Sequence, residues 1–294
     1  MNTLKKCDLC PRNCLVNRYE KVGYCRAKAK LKIALASIHM WEEPVISGRD
    51  GSGTIFFSHC NLGCIFCQNY KIRNGYGKEI TIKRFSEICL ELQSRGANNI
   101  NLVTPTHYVP LIRKGLIQAK NRGLIIPIVY NTSSYENEVT IESMKGLVDV
   151  YLADLKYYDD NYAKKYSNCN NYFEVATKVI GKMVAQVGSP IIHNGLMKRG
   201  VIVRVLLLPG LLEDAKKIIK YLYETYHDNI YISIMNQYTP VDKYVYEELN
   251  NKVAESVYDE LVNFAYDIGV RNAFIQEGET QKDSFIPNFN LENV

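Results

Sequence analysis

Short apolar segments alternate with helical patterns along the chain after residue 50. Six segments are as short and as continuously apolar as strands buried on both faces, and they cover residues 54–58, 100–103, 125–130, 148–153, 201–208 and 230–235. Between them, apolar residues recur at three- and four-residue spacing, most clearly over residues 82–92, after which Gly96 is expected to end the helix. The fold class is therefore predicted to be α/β, a partial or full parallel (β/α) barrel of about six βα units.

Further helical patterns and one aperiodic stretch complete this outline. The helices are expected near residues 111–122, 172–187, 212–226 and 249–268, whereas residues 189–198 are expected to be an irregular connection. A chain of 294 residues with 47% hydrophobic content is long enough for one barrel domain and a small appendage. We expect a cysteine-rich metal-binding leader over residues 1–50 and the barrel domain over residues 51–294.

Charge and hydropathy exclude two classes of partner. The 36 basic and 31 acidic residues are dispersed, so the net charge of +5 forms no basic stripe of the kind that binds nucleic acid. The chain has no apolar run of about 18 residues or more, and its first residues lack the apolar stretch of a signal peptide. The prediction is a cytoplasmic protein without a nucleic-acid or membrane partner.

The nine cysteines are unevenly distributed, because seven of them fall in two groups within the first 67 residues. A disulfide framework would spread them along the chain, and in the cytoplasm clustered cysteines are more often metal ligands or redox groups. Of the other two, Cys89 lies on the apolar face of a predicted helix and is expected to be a small core residue. Cys169 lies in a polar turn, and no role is predicted for it.

One group, Cys60, Cys64 and Cys67, follows the first predicted strand. In a parallel barrel, function collects in the loops after the carboxyl ends of the strands. Three thiolates on one short loop can bind three irons of a 4Fe–4S cluster and leave the fourth iron open to a substrate ligand. A structural zinc site needs four close ligands, which this spacing does not supply locally. We therefore predict an iron–sulfur cluster here.

This loop, with Phe66 before its third cysteine and Asn69 after it, resembles the radical S-adenosylmethionine (SAM) enzymes, and more closely the pyruvate formate-lyase activating enzyme branch. The resemblance covers roughly residues 50–240. In that family SAM chelates the open iron, and an electron entering its sulfonium yields a 5′-deoxyadenosyl radical that abstracts hydrogen from a substrate. The resemblance implies that Phe66 packs near the adenine and that Asn69 contacts the cofactor. An ordinary core aromatic is the other interpretation of Phe66.

Two later strand ends extend the resemblance. Asp154-Leu155-Lys156 is similar to the Asp-Leu-Lys of the activating enzymes, which implies that Asp154 and Lys156 help to hold the methionine part of the cofactor. Arg204 lies in a strand that ends in Pro-Gly, as in the same enzymes, and is expected to bind the cofactor carboxylate through two hydrogen bonds. Without the resemblance, Asp154 and Lys156 would be interpreted as an ordinary surface pair of an acid and a base two residues apart.

Other strand ends depart from the family pattern. Thr104-Pro105-Thr106-His107 stands where the activating enzymes have Gly-Gly-Glu, and the hydroxyls of Thr104 and Thr106 are expected to accept hydrogen bonds from the cofactor's amino group. His107 is either a catalytic proton donor or substrate ligand, or a hydrogen-bonded loop histidine. The position of a family acid aligns with Tyr130, and that of a family histidine with Gln237. The expected cofactor contacts at these two strand ends are Asn131, Ser133, Asn236 and Gln237.

The second cysteine group is Cys7, Cys10, Cys14 and Cys25, ahead of the first barrel strand. Four thiolates suffice for a closed site, and both zinc and a second 4Fe–4S cluster accept four. Zinc or another structural metal is preferred here, and the cluster is kept as the alternative.

Three functions are compatible with this sequence. The first is a radical SAM oxidoreductase that abstracts hydrogen, including from a backbone glycine of a partner protein that it activates. The second is a radical SAM enzyme that acts on a small molecule or makes another protein modification. The third, more remote, is a non-enzymatic electron carrier, which would hold its cluster with four protein ligands. The enzyme would need a one-electron donor such as flavodoxin or ferredoxin, and His107, Lys156 and Arg204 are its expected catalytic residues.

Overall fold

The computed structural model describes residues 3–276 and 287–294. Its strands are β1 Leu31–His39, β2 Ser52–Phe57, β3 Lys78–Ile80, β4 Ile100–Val103, β5 Ile128–Thr132, β6 Val150–Asp154, β7 Ile191–His193, β8 Leu196–Leu206, β9 Tyr231–Met235 and β10 Ala273–Ile275. Its helices are α1 Pro44–Ser47, α2 Tyr70–Arg73, α3 Ile82–Ser94, α4 Val109–Asn121, α5 Glu138–Glu142, α6 Asp160–Ser167, α7 Tyr172–Val187, α8 Leu212–Tyr226 and α9 Glu255–Asp267. No helix in this part of the chain has the length and apolarity needed to cross a membrane.

The strands form one mostly parallel sheet in the order β10-β9-β8-β6-β5-β4-β2-β1-β3. All neighbours from β2 to β10 along this order are parallel, while β1 and β3 add an antiparallel edge. The six predicted strands correspond to β2, β4, β5, β6, β8 and β9, which confirms the α/β fold class. Within the described residues the two outer strands, β3 and β10, do not pair with each other, so the barrel is the open, partial form.

Helix α3 shows why the amphipathic segments form as they do. Its first turn is capped by Thr81, whose hydroxyl oxygen accepts a hydrogen bond from the Arg84 amide at 3.0 Å. The helix buries Phe85 and Cys89 against the sheet, so Cys89 is a core residue as predicted. It ends just before Gly96, whose φ of +87° is readily adopted only by glycine.

Two features of the sheet differ from expectation. Residues 189–198 are not irregular, because β7 and the start of β8 form a hairpin around Asn194 and Gly195. Both turn residues have positive φ, 52° and 76°, as the tight hairpin turns favoured by Asn-Gly require. Strand β1 lies within the range expected to be the leader, yet it pairs with β2 over six residue pairs. The predicted boundary at residue 50 therefore falls between two paired strands.

The carboxyl ends of the parallel strands carry unusual backbone conformations. His59 follows β2, Thr104 follows β4 and Ser134 follows β5, with φ values of 76°, 59° and 60°. Positive φ is rare outside glycine and is a genuine outlier for a β-branched threonine. Strain of this kind persists where the surrounding structure enforces it, and it concentrates at functional sites. This edge of the sheet is where a site is expected.

Candidate functional site

A cavity of about 210 Å³ opens at this edge, and one of its walls carries Cys60, Cys64 and Cys67. The Leu62 amide donates a hydrogen bond to the sulfur of Cys60 at 3.4 Å, and the Ser167 hydroxyl donates one to the sulfur of Cys64 at 3.0 Å. Burial raises the pKa of Cys60 and raises that of Cys67 to about 12. Such thiols stay protonated until a metal replaces the proton, so they are suited to metal coordination and not to free nucleophilic attack.

An ion-pair network occupies the facing part of the cavity. Asp154 and Arg204 are directly paired in the β6–β8 register, and Arg204 Nε lies 2.8 Å from Asp154 Oδ1. The Lys156 ammonium lies 2.7 Å from Asp154 Oδ2, and Arg204 also donates to the side-chain oxygen of Asn131 at 2.6 Å. Burial acts to raise the pKa of Asp154, but Arg204 and Lys156 outweigh it and hold that pKa below its usual range. The carboxylate therefore stays ionised and fixes both cations.

A second acid reaches Arg204 from outside the parallel strands. Glu42 follows β1, its side chain is 9% exposed, and its Oε2 lies 3.5 Å from Arg204 Nη1. Its Oε1 accepts a hydrogen bond from the side-chain amide of Asn101 at 2.8 Å. Burial raises the pKa of Glu42 even though Arg204 is nearby. Glu42, which lies in the range predicted for the leader, thus joins the polar network of Asp154, Lys156 and Arg204.

A side cavity of about 120 Å³ continues from the main one. The two share Gln68, Asn69 and Arg204, and the side cavity extends to His39 and Trp41 at the end of β1. The two cavities together form one groove, and because Trp41 is 62% exposed, this end of the groove is accessible from solvent.

The sequence profile of the Radical SAM superfamily matches residues 54–222, more than half of the 294 residues. The chain belongs to the radical SAM superfamily. This is a family of enzymes that use a 4Fe–4S cluster and SAM. The chain is also 29% identical over 273 residues to the uncharacterized protein MJ0674 of Methanocaldococcus jannaschii, and the match covers 88% of this chain and 73% of that protein.

Two solved structures share the fold with this radical SAM protein. One is a radical SAM methyltransferase from Sphaerobacter thermophilus, with a TM-score of 0.54 and 14% identity over 76% of this chain. The other is Streptococcus suis SuiB bound to S-adenosylmethionine, with a TM-score of 0.51 and 13% identity over 74% of this chain. The matches cover only 66% and 48% of those two chains, so the likeness concerns the shared fold alone.

Most of the cofactor residues predicted from the sequence line the main cavity. Besides the three cysteines, they are Phe66, Asn69, Thr104, Asn131, Ser133, Asp154, Lys156, Arg204 and Gln237. Phe66 also packs edge-on against Tyr166 and Tyr238, with ring centroids 6.5 and 6.3 Å apart. It is therefore a core aromatic that also borders the cavity. Contact of these residues with the cofactor stays a prediction.

Thr106, His107 and Asn236 do not line this cavity. The short 3-10 helix Thr106–Tyr108 carries the first two away from the sheet edge. The His107 ring nitrogen Nε2 lies 2.8 Å from the Ser58 carbonyl oxygen, and the residue lines a different cavity together with the leader cysteines. Burial, and then the nearby Arg18, lower the pKa of His107 to about 3. A neutral, enclosed imidazole fits the loop-histidine alternative, so we do not assign it catalysis.

Two residues near the site were missed by the sequence analysis besides Glu42. Glu136 is 1% exposed, and its Oε1 accepts hydrogen bonds from the hydroxyls of Thr106 and Thr132, both at 2.7 Å. Gln68 donates from its side-chain amide to the Gln237 carbonyl at 2.8 Å, which ties the cysteine loop to the end of β9. An acid in the strand-end segment after β5 was the available signal for Glu136.

The donor set fits the family cofactors. In the part of the chain described, no three histidine, cysteine or acidic side chains are arranged around a single metal ion. Tetrahedral zinc needs that arrangement, whereas in a 4Fe–4S cluster each thiolate binds a different iron. Cys60, Cys64 and Cys67 would hold three irons. Arg204 and Lys156 line the same cavity and would supply cations to the carboxylate of SAM.

Proposed function

We propose that this radical SAM protein cleaves SAM reductively at a 4Fe–4S cluster held by Cys60, Cys64 and Cys67, and abstracts a hydrogen atom from a substrate. The observation that carries the proposal is the single cavity whose lining joins the three thiols to the Asp154–Lys156–Arg204 network. When bound, the cluster and SAM supply one electron and a 5′-deoxyadenosyl radical.

The side chains of this enzyme have positioning and electrostatic roles. Arg204 and Lys156 bind the carboxylate of SAM, and Asp154 orients both cations through its two oxygens. Thr104 and Ser133 border the cavity and accept hydrogen bonds from the amino group, while Phe66 contacts the adenine. Because these groups are held by strand ends, little reorganisation is needed when the cofactor binds.

An open ligand position separates this enzyme from an electron carrier. A carrier would enclose its cluster with four protein ligands, but the cysteine loop supplies three thiols and faces a cavity. The polar network of Asp154, Lys156 and Arg204 would also have no function in an electron carrier. The enzyme still requires a one-electron donor, and we assign that role to a flavodoxin- or ferredoxin-type protein.

We propose a partner protein as the substrate, with a backbone glycine as the hydrogen donor. The resemblance to the pyruvate formate-lyase activating enzyme supports this assignment, and so does the solvent-accessible groove that runs from the cysteine loop to Trp41. A small molecule is the second candidate, because Gln237 replaces the histidine of that branch at the groove wall. A glycine-centred radical detected by electron paramagnetic resonance on a partner distinguishes the first candidate from the second.

Anaerobic turnover tests the core of the proposal. The protein is reconstituted with iron and sulfide, reduced with dithionite and mixed with SAM, and 5′-deoxyadenosine is quantified. The wild type and a Cys89→Ala control, altered at a buried cysteine of α3, should form it, whereas Cys64→Ala should not. Equal product from the Cys64→Ala variant, or none from a wild type with an intact cluster signal, would overturn the proposal.

A further inference from the structure

From here on, the leader means residues 3–30, the part of the predicted leader range that precedes β1. These residues line a second cavity, which is much smaller than the cavity beside the cysteine loop. Its lining brings together Cys7, Cys10, Cys14, Cys25, Arg18 and His107. The four cysteines are spread over nineteen residues of sequence, so only the folded leader makes them neighbours.

The leader backbone is folded tightly around these sulfurs. Cys7 exchanges backbone hydrogen bonds with Leu15 and Val16 at 2.8 and 3.0 Å, which closes the first turn around Cys10. A Cβ atom at Gly23 would lie 2.8 Å from the sulfur of Cys14, so only glycine fits there without displacement. The next amide, that of Tyr24, donates a hydrogen bond to the same sulfur at 3.3 Å. Amide donors of this kind stabilise thiolates, not thiols.

Arg18 places a buried positive charge at the lining of this cavity. Its side chain is fully buried and donates to the carbonyl oxygens of Ala27 at 3.0 Å, Lys28 at 2.8 Å and His107. Among the residues described, no carboxylate lies within the 4.0 Å ion-pair distance of it. Carbonyls satisfy its N–H groups but leave its charge unbalanced, and a buried unbalanced charge is costly.

The cysteines are the groups that can balance Arg18. A bound metal displaces their protons and leaves a net negative thiolate site beside the arginine.

The arrangement of the four cysteines favours one of the two groups that accept four thiolates, a single zinc ion or a 4Fe–4S cluster. Tetrahedral zinc with bonds of about 2.3 Å would bring the sulfurs to about 3.8 Å from each other. Within the described residues the cysteines do not form a single-ion site of this kind and instead line a cavity, as the catalytic cysteines do. We propose that Cys7, Cys10, Cys14 and Cys25 bind a second 4Fe–4S cluster, fully ligated by the protein, with Arg18 as its buried counter-cation. This assignment replaces the preference for zinc drawn from the sequence.

Arg12 joins this second site to the catalytic loop. Its guanidinium donates to the carbonyl oxygens of Asn61 at 3.0 Å and Leu62 at 2.9 Å, within the segment between Cys60 and Cys64. It also donates to the carbonyl of Ser167 at 3.1 Å, the residue whose hydroxyl bonds to Cys64. The leader is therefore an iron–sulfur module anchored to the loop that carries the catalytic ligands.

Metal analysis tests the assignment without any enzymatic turnover. A variant with Cys60→Ala, Cys64→Ala and Cys67→Ala keeps only the leader ligands and is reconstituted anaerobically with iron, sulfide and an equal amount of zinc. We expect about four irons and four sulfides per chain in this variant, and about eight of each in the wild type and in the Cys89→Ala control. About one zinc and no iron in the variant, or no metal at all in a variant with wild-type circular dichroism, would refute the second cluster.

The wild-type iron count keeps the test decisive if the triple variant does not fold, because about four irons per wild-type chain would also refute the proposal. The role of Arg18 is measured separately, by iron release to a chelator. Arg18→Met should shorten the half-time of release from the leader cluster by about 10- to 100-fold, the usual effect of losing an outer-shell partner. Arg18→Lys should retain most of the protection, and equal half-times for all three proteins would exclude the counter-cation role.

Discussion

The cysteine loop, residues 59–69, and the leader both gather cysteines, but they present them in opposite ways. The loop presents three thiols to a cavity of about 210 Å³ that Asp154, Lys156 and Arg204 also line. The leader arranges four thiols around a much smaller cavity that a buried arginine also lines. An open ligand position beside a cavity is suited to chemistry on a bound molecule, whereas a closed set of ligands is suited to holding a group without reaction.

The two regions also balance charge differently. Next to the loop, Arg204 and Lys156 already have a carboxylate partner in Asp154, so an incoming anion adds to an existing network. In the leader, Arg18 donates to three carbonyls and lies over the Tyr108 ring, and we expect its counter-charge to come with the metal. Cofactor exchange is expected at the first site and retention at the second.

Removing one ligand from each region should have the largest and most contrasting effects. Cys67→Ala should lower 5′-deoxyadenosine formation by more than the roughly 10- to 100-fold typical of outer-shell changes, because a direct iron ligand is lost. Cys14→Ala should leave formation with dithionite close to wild type per catalytic cluster while iron content falls. Product analysis and iron assay on the same samples measure both. Equal losses of activity in the two variants would contradict the distinction between a catalytic site at the loop and a non-catalytic site in the leader.

The ion-pair network at the main cavity should matter strongly for stability. Arg204→Met leaves Asp154 without its arginine partner, and breaking a buried pair in this way costs about 3 to 5 kcal/mol of unfolding free energy. Urea denaturation measures the change. Arg113→Met, at an exposed arginine that donates to the Ser143 carbonyl, is the matched control and should change stability by about 0.5 kcal/mol or less. Similar effects at both positions would contradict the buried-network account.

Glu136 lies between the two regions and should make stability depend on pH. Burial raises its pKa from 4.5 to about 7, although the hydroxyls of Thr106, Thr132 and Tyr130 oppose the shift. A raised pKa means that the folded protein prefers the protonated acid, so this stability is present below pH 4.5 and lost as pH rises through about 7. The loss is roughly 3 kcal/mol.

Glu136→Gln should abolish that part of the pH dependence and make the protein more stable than wild type at pH 8. Chemical denaturation at pH 5 and pH 8 provides the measurement, and Glu255→Gln at the first turn of α9 serves as the control. An unchanged pH profile in the Glu136→Gln variant would show that the acid is ionised in the folded state.

Arg12 should have a smaller effect that links the two regions. Arg12→Ala removes charged hydrogen bonds to the carbonyls of Asn61, Leu62 and Ser167, for a loss of about 2 kcal/mol. We expect a lower melting temperature and faster loss of the catalytic cluster in air, with leader iron content unchanged. Loss of leader iron alone would place the role of Arg12 within the leader.

A surface pair on the neighbouring helix should have the smallest effect. Lys165 lies 2.5 Å from Glu248, and both side chains are about one-third exposed at 36% and 31%. Lys165→Ala should change stability by less than about 1 kcal/mol, because exposed ion pairs contribute little. Thermal unfolding measures the change. A larger effect would indicate that α6 itself, and not the Arg12 contacts, positions Ser167 beside Cys64.

Local patterns were sufficient for much of the fold and for the cysteine loop. The alternation of short apolar segments with amphipathic ones predicts β2, β4, β5, β6, β8 and β9, because a strand buried on both faces must be almost continuously apolar. The spacing of Cys60, Cys64 and Cys67 needs no distant residue to bring the thiols together. The β7–β8 hairpin was also within reach of the sequence, since Asn194-Gly195 is a strong turn signal.

The remaining parts of the site depend on contacts between distant residues. Glu42 meets Arg204 162 positions later in the chain, and Arg12 reaches Ser167 155 positions later. His107 was placed correctly at a strand end, but the following 3-10 helix carries this residue to the lining of the leader cavity. The sequence by itself determined six parallel strands, the five long amphipathic helices and the three-cysteine loop, since short-range spacing and apolar periodicity encode them. Only the tertiary structure decided which buried charges face each other, because their energies depend on distance and burial between segments that are remote in sequence.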